Sequence, residues 1–239
     1  MFKLLSTANP KIQKGTAKGY LSFILHLAPA DLSGRETCPK RTAGCTSACL
    51  NTAGRGGMFK RGETTNVIQK ARIRKTKYFF DNRAAFMQDL IQDMVKAMNF
   101  AAKKGLTPVF RLNGTSDLSW EKYVVNGQGD NIFQMFHMVQ FYDYTKVLGR
   151  KVKNLPNYHL TFSKADGNDS DVAEALLQGM SVVAVYDKVP AGVPSADEDD
   201  LRFLDPKGVM LGLKAKGRAK KRLYGICNSV DRDCLRQYN

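Results

Sequence analysis

The chain has no run of about 18 apolar residues, so composition supplies no membrane-spanning helix. Histidine is scarce. The three present, His26, His137 and His159, stand alone in the sequence. That removes the usual support for a hydrolase-type nucleophile, which needs a base beside it. There is a single tryptophan, Trp120, which reads as a core residue before it reads as a base-stacking platform. Cysteine is sparse and odd in number, with five in 239 residues. An odd count argues against a closed disulfide framework, and a chain this long buries enough surface to fold without staples. The opening "MFKLLSTANPKIQKG" is basic but lacks the apolar centre of a signal peptide, so a reducing cytoplasmic setting is expected. No internal repeat or long low-complexity run is visible.

Acidic residues are also in short supply: 22 against 37 Lys and Arg, a formal charge of +15. The imbalance is uneven. Residues 1–83 hold 16 basic and 4 acidic side chains, residues 84–213 hold 13 and 16, and residues 214–239 hold 8 and 2. Two basic ends around a slightly acidic middle suit a polyanionic partner, by counterion release where that partner is nucleic acid. The candidate contacts are Arg55, Arg72, Arg74 and Lys75 near the first end. At the second they are Lys214, Lys216, Arg218, Lys220, Lys221 and Arg222. Such residues hold phosphates without reading sequence, and the plain alternative for "KAKGRAKKR" is a solvated charged loop.

The pattern predicts six strands: 19–29, 107–114, 139–145, 157–163, 180–189 and 208–213. Helices are predicted over 65–83, from 84 to a stop at Gly105, over 131–139, and over 167–179 with Asp171 and Glu174 spaced as a capping box. Strands alternating with helices imply parallel pairing, and near-continuous apolar strands imply a sheet covered on both faces. The expected class is α/β, either an open doubly wound sheet or a partial (β/α)6 TIM-like barrel. Residues 1–213 would form one domain, and 214–239 a basic tail. In both architectures ligands gather at the carboxyl ends of the strands.

Just past the first predicted strand comes "ETCPKRTAGCTSACLNTAGRGG", residues 36–57, with three cysteines spaced Cys-x6-Cys-x3-Cys. Thiolates are soft ligands for zinc or iron–sulfur clusters. Cys38, Cys45 and Cys49 fall one short of a closed zinc site. The fourth ligand would be Cys227, Cys234 or His26, or the position is open. Gly44, Gly54, Gly56 and Gly57 allow close backbone approach, and Lys40, Arg41 and Arg55 offset negative charge. Inert or redox-active thiols are the competing readings.

Other strand ends carry polar candidates. Arg111, Asn113 and Asp117 follow "TPVF" of the second predicted strand, Lys146 follows the third, and Ser163, Lys164 and Asp166 end the fourth. Asn113, Asp117, Lys146, Ser163 and Asp166 are the candidate catalytic residues. Ordinary turn chemistry is the competing account of "NGTSD".

The segments "TCPKRTAGCTSACL", "FRLNGTSDLSWE", "FYDYTK", "YHLTFSKADGND" and "LRFLDPKGVMLGLKAKGRAKK", in that order, resemble a family of uncharacterised bacteriophage-encoded proteins. The resemblance covers about residues 19–222 and implies expression in a host cytoplasm. More distantly, the chain resembles radical S-adenosylmethionine enzymes, which place three cysteines after the first strand of a partial (β/α)6 barrel. That likeness implies a 4Fe-4S cluster and S-adenosylmethionine, with Asn113 and Gly114 of "NGTSD" as cofactor contacts. The spacing here departs from that group's Cys-x3-Cys-x2-Cys, and no glycine–glycine–acid motif follows the second strand.

The expected function is therefore an iron–sulfur protein acting on nucleic acid or a nucleotide-linked substrate. The alternative is a non-catalytic, zinc-stabilised nucleic-acid-binding protein of phage replication or host takeover. A host protein is the third kind of partner that the basic face would suit.

Overall fold

The computed structural model describes residues 3–7 and 14–221. Seven strands form one sheet: β1 (Leu5–Ser6), β2 (Tyr20–Leu25), β3 (Thr107–Arg111), β4 (Gln140–Thr145), β5 (Tyr158–Ser163), β6 (Val182–Tyr186) and β7 (Met210–Lys214). They lie in chain order, β1 antiparallel to β2 and every later pair parallel. All six predicted strands are present. The short β1 is an addition, tied by the Asp93 carboxylate, which accepts from the Leu4 amide at 2.5 Å. A doubly wound sheet reverses its strand order partway. This order never reverses, so that alternative is excluded. Among the described residues no pairing joins β7 to β1 or β2, and the sheet is open.

The helices are α1 (Ala30–Ser33), α2 (Ala43–Ser47), α3 (Val67–Asp81), α4 (Arg83–Ala102), α5 (Ile132–Met135) and α6 (Asp169–Leu177). Asn82 separates α3 from α4, and its side chain accepts from the Ala85 amide. α4 repeats its apolar residues at helical spacing, and buries Met87, Leu90 and Met94 against Leu21, Phe23 and Phe110 of the sheet. It stops at Gly105, whose φ is +65° and whose neighbour Leu106 returns an amide to the Ala101 carbonyl.

Two helix predictions need correction. The helix expected over 131–139 is four residues long, because the Asn157 side-chain amide takes the carbonyls of Phe133, Phe136 and Val139 at 3.0 Å each. The capping box lies here, between Asn131 and Gln134. It is not at Asp171 and Glu174, because α6 already begins at Asp169. Its preceding Asn168 instead bonds the Ala165 amide and the Ser163 carbonyl.

The two faces of the sheet differ. Leu21, Phe23, Phe110, Phe141 and Phe162 face the helices. The opposite face is covered by the connection from β6 to β7. Ser195 bridges to the outer edge of β7 at Gly212. The chain then lays Leu201 on Val109 and Tyr142, and Phe203 against Tyr20. Its carboxylates are paired: Asp200 with Arg111 at 2.8 Å, Asp199 with Lys18 at 2.6 Å and with Arg202 at 3.3 Å.

Candidate functional site

The carboxyl ends of β2, β3, β4, β5 and β7 meet at one pole. The loop after β2 carries the cysteines. Asp117, after β3, donates its amide to the Thr37 carbonyl at 2.8 Å and accepts the Lys146 amide, after β4, at 2.8 Å. Asp166, after β5, accepts from the Thr42 hydroxyl and from the Gly44 amide at 3.3 Å. Burial would raise the Asp166 carboxyl, but these two contacts, with its own backbone amide and the charge of Lys146, together hold it below the usual range. Past β7, Gly217 packs so closely on the cysteine loop that a methyl there would lie 3.2 Å from the Ala53 Cα. The segment expected as a tail is thus packed into the pole through its 3₁₀ turn at Gly217–Lys221.

The cysteine loop is built from short turns. Thr42 caps α2 by accepting the Cys45 amide, and the Cys49 sulfur accepts the Asn51 amide at 3.5 Å. The three thiols are free of disulfides and partly buried. Burial pushes the Cys38 thiol up to about 12, and neighbouring Asp117, Cys49 and Cys45 add to the rise. Cys49 is raised by burial as well, while Arg72 and Lys146 pull it back. The sulfurs therefore lie close enough to feel one another's charge. Among the described residues, however, no three His, Cys, Asp or Glu side chains are gathered tightly enough to hold one ion. Binding a common centre would require the thiols to come closer together than they stand.

The remaining candidates divide into organisers and free groups. Asn113 is buried and fully engaged. Its carbonyl oxygen accepts from Ser116 Oγ at 2.9 Å, the Leu118 amide at 2.9 Å and Trp120 Nε1 at 3.0 Å, and its amide donates to Leu118 O at 3.0 Å. It shapes the loop and leaves no group for a ligand. Gly114 is required by a close approach. A methyl there would meet Ile24 Cγ2 at 2.6 Å and Leu25 O at 2.7 Å. Asp117 keeps one buried carboxylate oxygen without a hydrogen bond, beside Cys38, with Arg150 Nη1 at 3.8 Å. Lys146 lies within charge range of both Cys49 and Asp166. Ser163 offers its carbonyl to Asn168, and Lys164 pairs with Asp169. His26, neutral because burial and then Arg72 depress it to about 3, sits beside Gly114. Cys227, Cys234 and Arg222 lie outside the described residues.

The basic residues also divide. Arg72 points inward and holds Asn51 through its side-chain oxygen at 2.8 Å and its carbonyl at 3.1 Å. Lys75 donates to the Leu4 carbonyl at 2.5 Å, and burial pulls it down to about 8. Arg55, Arg74, Lys214, Lys216, Arg218 and Lys220 are exposed, Lys216 in a 2.6 Å pair with Asp197. Sequence reasoning missed Gln69 and Thr76 on α3 and Asn66 at its cap, which with Arg72 form a polar stripe that binds the cysteine loop and the Ala28 amide. Its spacing of three to four residues was the available signal.

No helix among the described residues is long and apolar enough to cross a membrane. No curated protein and no solved structure matches the chain, so the likeness to radical S-adenosylmethionine enzymes gains no support from these comparisons. A family model described as Gene product 88 matches residues 3–229, nearly the whole length, in keeping with the phage-family resemblance. The chain belongs to the Gene product 88 family.

Proposed function

We propose that the strand-end pole binds an iron–sulfur centre through Cys38, Cys45 and Cys49, and presents it to a nucleic-acid or nucleotide-linked substrate in the host cytoplasm. The observation that carries this reading is that three unbridged thiols share one pole with the ends of four other strands, within charge range of one another and of two cations. Thiolates are the ligands such a centre needs, and Arg72 and Lys146 would offset its negative charge. Held by Cys38, Cys45 and Cys49 alone, such a cluster would leave one iron free to take a substrate. Around it this chain would contribute the Asp117 oxygen that makes no hydrogen bond, 3.8 Å from Arg150 Nη1, as an acceptor, and Lys146 as a cation for a substrate anion. The sequential order of six parallel strands, with the thiols after the first, supports the narrower reading of a partial (β/α)6 barrel. S-adenosylmethionine use is narrower still, and is tested separately by cofactor cleavage after reduction.

Anaerobically purified protein is expected to be brown, to contain iron and acid-labile sulfide, and to give a paramagnetic resonance signal on reduction. Colourless, folded, iron-free protein would reject the reading. Stoichiometric zinc lost on substituting Cys227 or Cys234 would replace it with the zinc-stabilised alternative.

A further inference from the structure

Directly after Cys49 the chain folds into two tight turns, Leu50–Thr52 and Gly54–Gly57. They collapse on themselves so closely that a methyl on Gly56 would lie 2.4 Å from the Asn51 carbonyl oxygen, and one on Gly57 2.0 Å from that of Thr52. The next residues are thereby turned outward: Met58 is 70% exposed and Phe59 38%. Leu50 at the start of the first turn, and Val67 and Ile68 opening α3, are exposed as well. This lip is pinned. The Asn66 side-chain amide donates to the carbonyls of Arg55, Gly56 and Met58 at 3.0, 3.1 and 2.7 Å, and Gln69 adds a bond to Gly56 at 3.0 Å. Fixed apolar side chains left in water mark a contact surface.

Charge identifies the occupant. Residues 50–77 hold eight Lys and Arg against one acid, Glu63. Arg72 and Lys75 turn inward, while Arg55, Lys60, Arg61 and Lys70 remain at the surface among the apolar groups. The seat of Gly217 on Ala53 brings Arg218 and Lys220 to the same lip. Cations interleaved with an aromatic ring and long apolar side chains match a single strand, whose phosphates take the charges and whose unstacked bases take the apolar faces. A duplex keeps its bases stacked and would leave Met58 and Phe59 in water.

We infer that the lip at residues 50–70, with Arg218 and Lys220, binds single-stranded nucleic acid and leads it past Cys49. The inference specifies the substrate class of the proposed function, and its substrate half rests on that reading. The binding itself does not require the metal.

The test is fluorescence anisotropy of the full chain with labelled dT20, U20 and a 20-base-pair duplex over a salt series. The single strands are expected to bind at least tenfold more tightly than the duplex. Phe59→Ala should weaken binding about tenfold with an unchanged salt slope. Arg61→Gln should reduce the slope by about 0.7. Thermal melts of both variants should match the parent, since both side chains are exposed. Equal affinity for the duplex, or no response to either variant, would overturn the inference, as would binding only of an acidic host protein. A Cys38→Ala/Cys45→Ala/Cys49→Ala variant that stays folded should keep its single-strand affinity. If it does while the parent proves free of metal, the lip stands and the cluster falls.

Discussion

The two faces of the sheet are held by different physics. Toward the helices, Phe23, Phe110 and Phe141 pack with Phe79, Phe86 and Trp120 in a largely apolar layer, and the ring of Phe79 lies 5.2 Å from that of Trp120. On the opposite face, the β6–β7 connection brings Asp199, Asp200 and Arg202 into near-complete burial against Arg111 and Lys18. An apolar layer gains free energy from every side chain it removes from water. A buried ion pair roughly repays its own desolvation, and contributes mainly by disfavouring wrong arrangements. The helix-backed face therefore supplies the stability, and the ion-paired face fixes where the connection lies and closes the edge of β7.

The sharpest way to break this comparison is to truncate one residue on each side. Trp120→Ala removes a fully buried ring and the donor to Asn113, and should cost about 3–5 kcal/mol by urea unfolding. Asp200→Ala leaves Arg111 buried without its partner and should cost about 3 kcal/mol. The double change Arg111→Met/Asp200→Leu should recover most of that loss, because the charges are then gone together. No comparable rescue is expected for Trp120→Ala. A double variant as unstable as Asp200→Ala would show that the ion-paired face carries stability of its own.

One carboxylate sits on the apolar side. Asp143 is fully buried and accepts the Asn113 amide at 2.7 Å and the Tyr158 hydroxyl at 3.1 Å. Burial raises its carboxyl to about 7, against the opposing pull of Arg111, the Asn113 amide and Arg150. Between the unfolded value near 3.9 and about 7, the folded state holds a proton that the unfolded state has lost. Stability contributed by the protonated acid is complete below pH 4, falls by roughly 1.4 kcal/mol per pH unit as pH rises toward 7, and levels off above it. Asp143→Asn should flatten that slope in unfolding midpoints measured from pH 4 to 8.

The smallest effect belongs to the pole. Arg72→Met should lower global stability by only about 1 kcal/mol, because it removes hydrogen bonds to one loop. With Asn51 released, the turn at Leu50–Thr52 should lose amide-exchange protection, while α4 keeps its own.

The contrast between the faces also marks what sequence could reveal. β2 to β7 and α3, α4 and α6 were legible, because their apolar residues recur at the period that burial imposes. The polar face was not. "ADEDDLRFLD" has the composition of a solvated acidic loop, and only the paired cations on β3 and before β2 make it interior. At the pole, the gathering of the cysteine loop with Asp117, Lys146 and Asp166 followed from the strand-end rule. The inward turn of Arg72 and Lys75 did not, because a basic helix looks the same in sequence whether its cations meet phosphates or backbone carbonyls. The bonding of Asn113 was hidden for a related reason: an Asn-Gly turn at a strand end gives no sign that its side-chain amide will bond Trp120 and Leu118.

The central claim is that the three thiols can close on one inorganic centre. Native mass spectrometry of the anaerobically purified chain tests it directly. The account predicts a mass above that of the polypeptide by an iron–sulfur cluster, lost in Cys45→Ala. A folded parent at the bare polypeptide mass, with all three thiols open to alkylation, would contradict it.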